Sequence, residues 1–222
     1  MPSATATPDL FAAEPPPSPS TAWLGPQTAV LRGFALPAAG LLLDGIARIA
    51  AQAPWRRMQT PGGYTMSVAV TNCGAFGWTS DRRGYRYGAV DPLTGHPWPA
   101  LPPALLQLAG EAAAAAGFGG FVPDACLVNC YAPGARLSLH QDRDERDFGA
   151  PIVSVSLGMR ATFLFGGLAR ADKPVPVPLE HGDVVVWGGV DRLRFHGVRP
   201  LHGAPHPVLG ERRINLTFRR AG

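Results

Sequence analysis

Two histidines and a carboxylate give the first chemical signal in this chain: His140-Gln141-Asp142, then His196 within Arg194-Phe195-His196-Gly197. Residues two apart on a strand point to one face, so His140 and Asp142 are expected to be co-facial, with His196 supplied by another strand. Such a set can cover one face of an Fe(II) ion and leave the opposite face open for a co-substrate and O₂. An H-x-D tripeptide alone is common and reads first as a surface pair near a turn, with an unrelated His elsewhere. The rest of the chain decides between the two.

Arg213-Ile214-Asn215-Leu216-Thr217-Phe218-Arg219 alternates polar and apolar without a break, the pattern of a half-buried strand. Arg213, Asn215, Thr217 and Arg219 share one face; Ile214, Leu216 and Phe218 share the other. The polar face belongs either to a solvated edge strand or to the inside of a barrel. Inside a barrel two guanidiniums need anionic partners, because unpaired buried charge is costly. A dicarboxylate would meet that need through bidentate Arg forks.

The elements that must hold these residues follow from periodicity and turn signals. Val30–Phe34 reads as a short strand, and Pro37 to Gln52 carries helical spacing that Pro54 ends. Leu101 to Ala116 reads as a second helix, stopped by Gly117. From Phe121 onward, strands are expected at 125–131, 136–142, 152–158, 161–165, 175–179, 183–187, 193–198 and 213–219. Short strands with turns between them predict a jelly roll or similar barrel. Residues 60–90 hold short strands rich in turn glycines and read as a flap.

Several long blocks sharpen this. Thr60-Pro-Gly-Gly-Tyr-Thr-Met-Ser-Val68, Tyr131-Ala-Pro-Gly134, Leu137-Ser-Leu-His-Gln-Asp142, Pro151-Ile-Val-Ser-Val-Ser-Leu-Gly158, His181-Gly-Asp-Val-Val-Val-Trp-Gly-Gly189 and Asn215-Leu-Thr-Phe-Arg219 stand in a characteristic order. With these motifs the chain, from Val30 to Gly222, resembles the bacterial AlkB family of Fe(II)- and 2-oxoglutarate-dependent dealkylation repair enzymes. The resemblance implies a mainly β fold with flanking helices: a double-stranded β-helix (jelly-roll) barrel with an N-terminal helix-containing extension and a nucleotide-recognition flap. It implies Fe(II) on His140, Asp142 and His196, with 2-oxoglutarate and O₂ as co-substrates. It implies that Arg213, Asn215 and Tyr131 bind the distal carboxylate of 2-oxoglutarate, and that Arg219 and Asn129 lie nearer its chelating end. Cys130, between Asn129 and Tyr131, is expected to point away.

Trp78, Tyr85 and Tyr87 lie among Arg82, Arg83 and Arg86. Aromatics interleaved with Arg suit a splayed nucleotide, although by themselves they read more readily as a small aromatic core beneath a loop. The resemblance implies that Trp78 stacks a flipped base and that Tyr85 and Tyr87 contact its backbone; Arg86 stands where the family pattern suggests an apolar residue, and is expected to add a phosphate contact. It places Asp144 against the methylated base and makes Arg170 a further substrate contact. The expected reaction is oxidative demethylation of N1-methyladenine- and N3-methylcytosine-type bases in DNA, single-stranded for preference, or in RNA. An oxygenase for proteins or small molecules, and a silent nucleic-acid-binding module, are the rival readings. His181, at a turn into a Val-rich strand, is expected to be structural.

Composition is compatible. At 222 residues, 46% hydrophobic, the chain can bury one substantial core. A net charge of +4 permits nucleic-acid binding without demanding it. Lys173 is the single Lys among 20 basic residues; this bias, with abundant Ala, Gly and Pro, looks like GC-rich coding and is no functional signal. Cys73, Cys126 and Cys130 form no metal or disulfide pattern, which suits free thiols in a cytoplasmic monomer. No apolar run is long enough for a membrane span, and the N-terminus lacks secretory-signal features. Residues 1–27 are expected to be a disordered tail, with 28–222 a single domain whose jelly-roll core is 121–222.

Overall fold

Alternation along a few central strands builds two cores on opposite faces of one sheet. The computed structural model describes residues 20–222. In chain order the elements are β1 (Thr21–Gly25), β2 (Thr28–Leu31), helix α1 (Ala39–Gln52), β3 (Ala69–Gly74), β4 (Gly77–Asp81) and β5 (Gly84–Gly88). Helix α2 (Pro103–Ala115) follows, then β6 (Ala125–Tyr131), β7 (Leu137–His140), β8 (Ile152–Gly158), β9 (Ala161–Phe165) and β10 (Val175–Leu179). The chain closes with β11 (Val184–Trp187), β12 (His196–Val198) and β13 (Arg213–Arg219).

A seven-stranded sheet runs β1-β2-β11-β8-β13-β6-β3, and a four-stranded sheet runs β10-β9-β12-β7. Strand β13 lies between β6 and β8, antiparallel to both. Its apolar face, Ile214, Leu216 and Phe218, packs with Leu42, Ile46 and Ile49 of α1 and Leu105 and Leu108 of α2. The period of two then sends Arg213, Asn215, Thr217 and Arg219 into the space between the sheets. There a second cluster joins Ile152, Val185 and Trp187 of the large sheet to Phe163, Phe165, Val177 and Val198 of the small one. The result is a jelly roll with helices on its outer face. Cys130 packs on the helix side, away from the interior, and all three cysteines are free.

Strands β6, β8, β9, β10 and β13 have the expected bounds; other boundaries move. Thr21–Gly25, assigned to the tail by composition, pairs with β2, so the ordered region starts earlier than residue 28. Residues 1–19 of that tail lie outside the described residues. The first strand ends at Leu31 rather than Phe34, because Gly33 turns the chain with φ +63°. A short 3-10 turn over Leu36–Ala38 precedes α1. The most consequential difference concerns Asp142. Strand β7 ends at His140, which pairs with His196, the first residue of β12. Having no strand opposite them, Gln141 and Asp142 leave the ladder. Among the described residues no helix is long and apolar enough to cross a membrane.

Candidate iron and co-substrate site

The His140–His196 register pair brings two imidazoles to one spot, with ring centroids 4.4 Å apart. Each Nδ1 faces a backbone carbonyl: Ser138 at 2.8 Å for His140 and Arg194 at 3.0 Å for His196. Donating Nδ1–H there fixes the tautomer and frees Nε2 as a ligand. Asp142 Oδ1 lies 3.7 Å from His140 Nε2, and Oδ2 lies 3.8 Å from His196 Nε2. One ligand atom from each of the three residues falls within 4.8 Å of the other two. Two imidazoles and a carboxylate grouped in this way fit Fe(II) with positions left open.

Burial, and then the adjacent His140, push His196 down to about 4, so it is neutral and ready to ligate at physiological pH. Burial raises the Asp142 carboxyl, but Arg219 and the two histidines overcome it and hold Asp142 well below the usual carboxylate range. The His196 shift has a stability consequence. The unfolded imidazole takes its proton near pH 6.5, whereas the folded one does not until about pH 4. Metal-free protein should therefore lose on the order of 3 kcal/mol as pH falls through that window. Thermal denaturation from pH 7.5 to 4 checks this, and a flat Tm would contradict it.

The co-substrate candidates occupy adjacent positions in the large sheet. Arg213 is the cross-strand partner of Tyr131, and Asn215 of Asn129. Asn129 Nδ2 donates to Asn215 Oδ1 at 3.2 Å, and Asn215 Nδ2 donates to Ser154 Oγ at 2.8 Å. Arg213 Nε donates to Ser156 Oγ at 2.9 Å, and its guanidinium lies 4.8 Å over the Tyr131 ring. Arg213 Nη1 and the Tyr131 hydroxyl are buried with no hydrogen-bond partner among the described residues. Buried polar groups are rarely left this way, so an orphaned cationic donor beside an orphaned phenol fits a ligand carboxylate.

Arg219 lies at the metal end of the strand, against Asp142. Its charge is already met inside the protein: Nε and Nη2 donate to Asp142 Oδ2 at 2.9 and 2.7 Å, and Nε lies 3.2 Å from Glu145 Oε1. Of the two arginines of β13, Arg213 is the one that keeps a buried donor without a partner among the described residues.

The flap is the β4–β5 hairpin, in which Trp78 faces Tyr87 across the strands. Trp78 stacks with Tyr85 at 5.4 Å and 14°. Its Nε1–H donates to Asp144 Oδ2 at 2.8 Å, while the Tyr87 hydroxyl donates to Glu145 Oε1 at 2.8 Å. Asp144 and Glu145 follow Asp142 closely, so both flap aromatics are tied to the loop that carries the metal carboxylate. Tyr85, Tyr87, Asp144 and Arg146 line an open cleft of about 240 Å³. Arg86 forks onto Asp81 at 3.0 and 2.7 Å, so the proposed phosphate contact has an internal competitor. Arg170 is exposed, with its guanidinium 5.8 Å from the Phe195 ring. His181 accepts the Gly158 N–H at 2.9 Å, as a structural histidine would.

Sequence reasoning passed over Glu145, Arg192, Ser154 and Ser156. The serines sit on the inward face of β8 beside Arg213 and Asn215, and alternation in Ile152-Val-Ser-Val-Ser-Leu157 was a usable signal. Glu145 and Arg192 gave none, since both lie in charged turn segments that read as solvated.

A jelly roll that carries a two-His, one-carboxylate donor set defines an Fe(II)-dependent oxygenase, and residues 27–219 match the family described as the 2OG-Fe(II) oxygenase superfamily. The alpha-ketoglutarate-dependent dioxygenase AlkB of Salmonella typhimurium is 60% identical over 96% of this chain and 97% of that protein. The Escherichia coli protein of the same name is 57% identical over 96% of this chain and 98% of its own length. A solved structure, OsALKBH1, superposes with a TM-score of 0.80 at 29% identity, covering 90% of this chain and all of that one. The chain belongs to the AlkB family of Fe(II)- and 2-oxoglutarate-dependent dioxygenases.

Proposed function

We propose that this chain removes N-linked methyl groups from bases of the N1-methyladenine and N3-methylcytosine type in DNA, and from the same bases in RNA, as a direct-reversal repair enzyme. One observation carries the substrate reading: the aromatic flap hydrogen-bonds through Trp78 and Tyr87 to the two carboxylates beside the metal loop. A planar base seated against that flap lies next to the iron ligands. When bound, Fe(II) and 2-oxoglutarate supply O₂-dependent hydroxylation of a C–H bond, with 2-oxoglutarate leaving as succinate and CO₂. A hydroxylated N-methyl group then breaks down to formaldehyde and the repaired base.

The chain's own residues bind and orient. His140, Asp142 and His196 hold the metal, and Arg213 with Tyr131 takes the distal carboxylate, backed by Asn215. Asn129 orients Asn215, and Arg219 fixes Asp142. Trp78 stacks the base and Asp144 favours its positive charge, while Tyr85, Tyr87, Arg86 and Arg170 border the nucleotide. Methylated bases pair poorly, so extruding one costs less than extruding a normal base, and single strands cost least. We place the protein in the cytoplasm as a monomer, in keeping with its free cysteines.

Incubation with methylated single- and double-stranded DNA and RNA oligonucleotides tests the activity. The expected result is loss of one methylene mass with stoichiometric formaldehyde, dependent on 2-oxoglutarate. Intact oligonucleotides despite 2-oxoglutarate turnover would overturn it. Base selection is tested in the same assay. Trp78→Ala should cut kcat/KM on every lesion by roughly 5- to 150-fold, the equivalent of ~1–3 kcal/mol of stacking. Asp144→Asn keeps an acceptor for the Trp78 indole but loses the charge, so it should penalise cationic lesions more than neutral ones. An equal loss on both would reduce Asp144 to holding Trp78 in place.

A further inference from the structure

Asp142 must be held rigidly to act as a ligand, yet it lies beyond the end of β7 in a segment without strand or helix. The ladder that fixes His140 and His196 does not reach it. Its side chain is gripped by Arg219, but its backbone has to be fixed by something else. The side chain that reaches it is Arg192, which comes from the turn before β12 and is buried to within 3% of its side-chain surface.

Arg192 spreads its fork over three points of the 141–150 segment. Nη1 donates to the Asp142 carbonyl at 3.0 Å, Nη2 to Glu145 Oε2 at 3.1 Å, and Nε to the Ala150 carbonyl at 3.2 Å. The guanidinium also lies 5.4 Å from the Phe148 ring. Glu145 completes the frame: its side chain is 2% exposed and it accepts from Arg192 and from the Tyr87 hydroxyl, with Arg219 Nε also 3.2 Å from Oε1. Arg192 stands four residues before His196, so it joins the segment carrying one histidine to the segment carrying the carboxylate. The amide of Gln141 donates to the Leu193 carbonyl and adds a second stitch between the same two segments.

We propose that Arg192 is the positioning residue for the iron carboxylate. It replaces the missing strand pairing at Asp142 and sets the geometry of the donor set before metal arrives. It touches neither metal nor substrate. Only a planar fork can span the three acceptors, so a lysine, which carries one nitrogen, cannot substitute.

The test uses full-length, metal-free protein without nucleic acid, so it stands apart from the substrate question. Co(II) binding in the presence of 2-oxoglutarate is followed by its visible absorption, alongside Fe(II)-dependent 2-oxoglutarate turnover. Partners outside a metal's ligand shell typically contribute about 10–100-fold in affinity. Arg192→Lys and Arg192→Ala should each weaken Co(II) binding by that factor. They should raise the Fe(II) concentration needed for half-maximal turnover by the same factor, with kcat at saturating metal falling far less. Glu145→Gln, which leaves the fork seated, should weaken binding less than either. Should Arg192→Ala fail to fold, the lysine and glutamine variants carry the comparison. Wild-type Co(II) affinity in folded Arg192→Lys would overturn the proposal, and so would a greater loss in Glu145→Gln than in Arg192→Lys.

Discussion

His140→Ala abolishes 2-oxoglutarate consumption and demethylation together, while the protein keeps a near wild-type Tm: this is the expected result of removing one iron ligand. Loss of an outer partner costs about 10–100-fold, so loss of a ligand should exceed that, on the order of 10³-fold or more. His140 is the clean position for this test because its side chain is 38% exposed and its removal leaves no buried charge alone. Asp142→Ala should abolish turnover as well, but not with an intact fold. It takes away the carboxylate that receives two of the Arg219 hydrogen bonds in a buried setting. Breaking a buried pair costs about 3–5 kcal/mol, with the lower end expected here because Glu145 remains beside Arg219. Full turnover in either variant would remove that residue from the iron site.

The second large effect separates the two arginines of β13. Arg213→Met should raise the KM for 2-oxoglutarate by roughly 30- to several thousand-fold, the equivalent of ~2–5 kcal/mol for a desolvated charge pair. The same substitution should leave the co-substrate-free protein as stable as before or more so, since it removes a buried donor that has no partner. Arg219→Met should do the reverse, lowering Tm whether or not 2-oxoglutarate is present. Titration of 2-oxoglutarate in steady-state assays, paired with thermal melts in its absence, reads both. An unchanged KM in Arg213→Met would take Arg213 out of the co-substrate site.

Much of this was legible because it is local. Strands β6, β8, β9, β10 and β13 declare themselves by alternation or by an apolar run between turns, and the two faces of β13 follow from that alternation alone. What was not legible depends on partners far away in sequence. The length of β7 is set by where β12 begins, so Asp142 could not be known to leave the strand from the residues around it. The charge of Arg219 was visible, but its neutralisation by Asp142, 77 residues earlier, was not. Arg192 and Glu145 look like ordinary solvated charges until the fold buries them against each other. Arg86 shows the same limit at short range: Asp81 neutralises it only because a hairpin folds between them.

The orphaned pair at Arg213 and Tyr131 also bears on the lifetime of the protein. Each buried group left without a partner costs about 1–3 kcal/mol, so a carboxylate that reached both would add to the stability of the fold. Any ligand that binds only the folded chain raises its stability, by ~2.7 kcal/mol at a hundred times its dissociation constant. 2-Oxoglutarate thereby acts on the enzyme as well as through it. A chain held in this way would keep a larger folded population, and resist proteolysis longer, where 2-oxoglutarate is plentiful than where it is scarce.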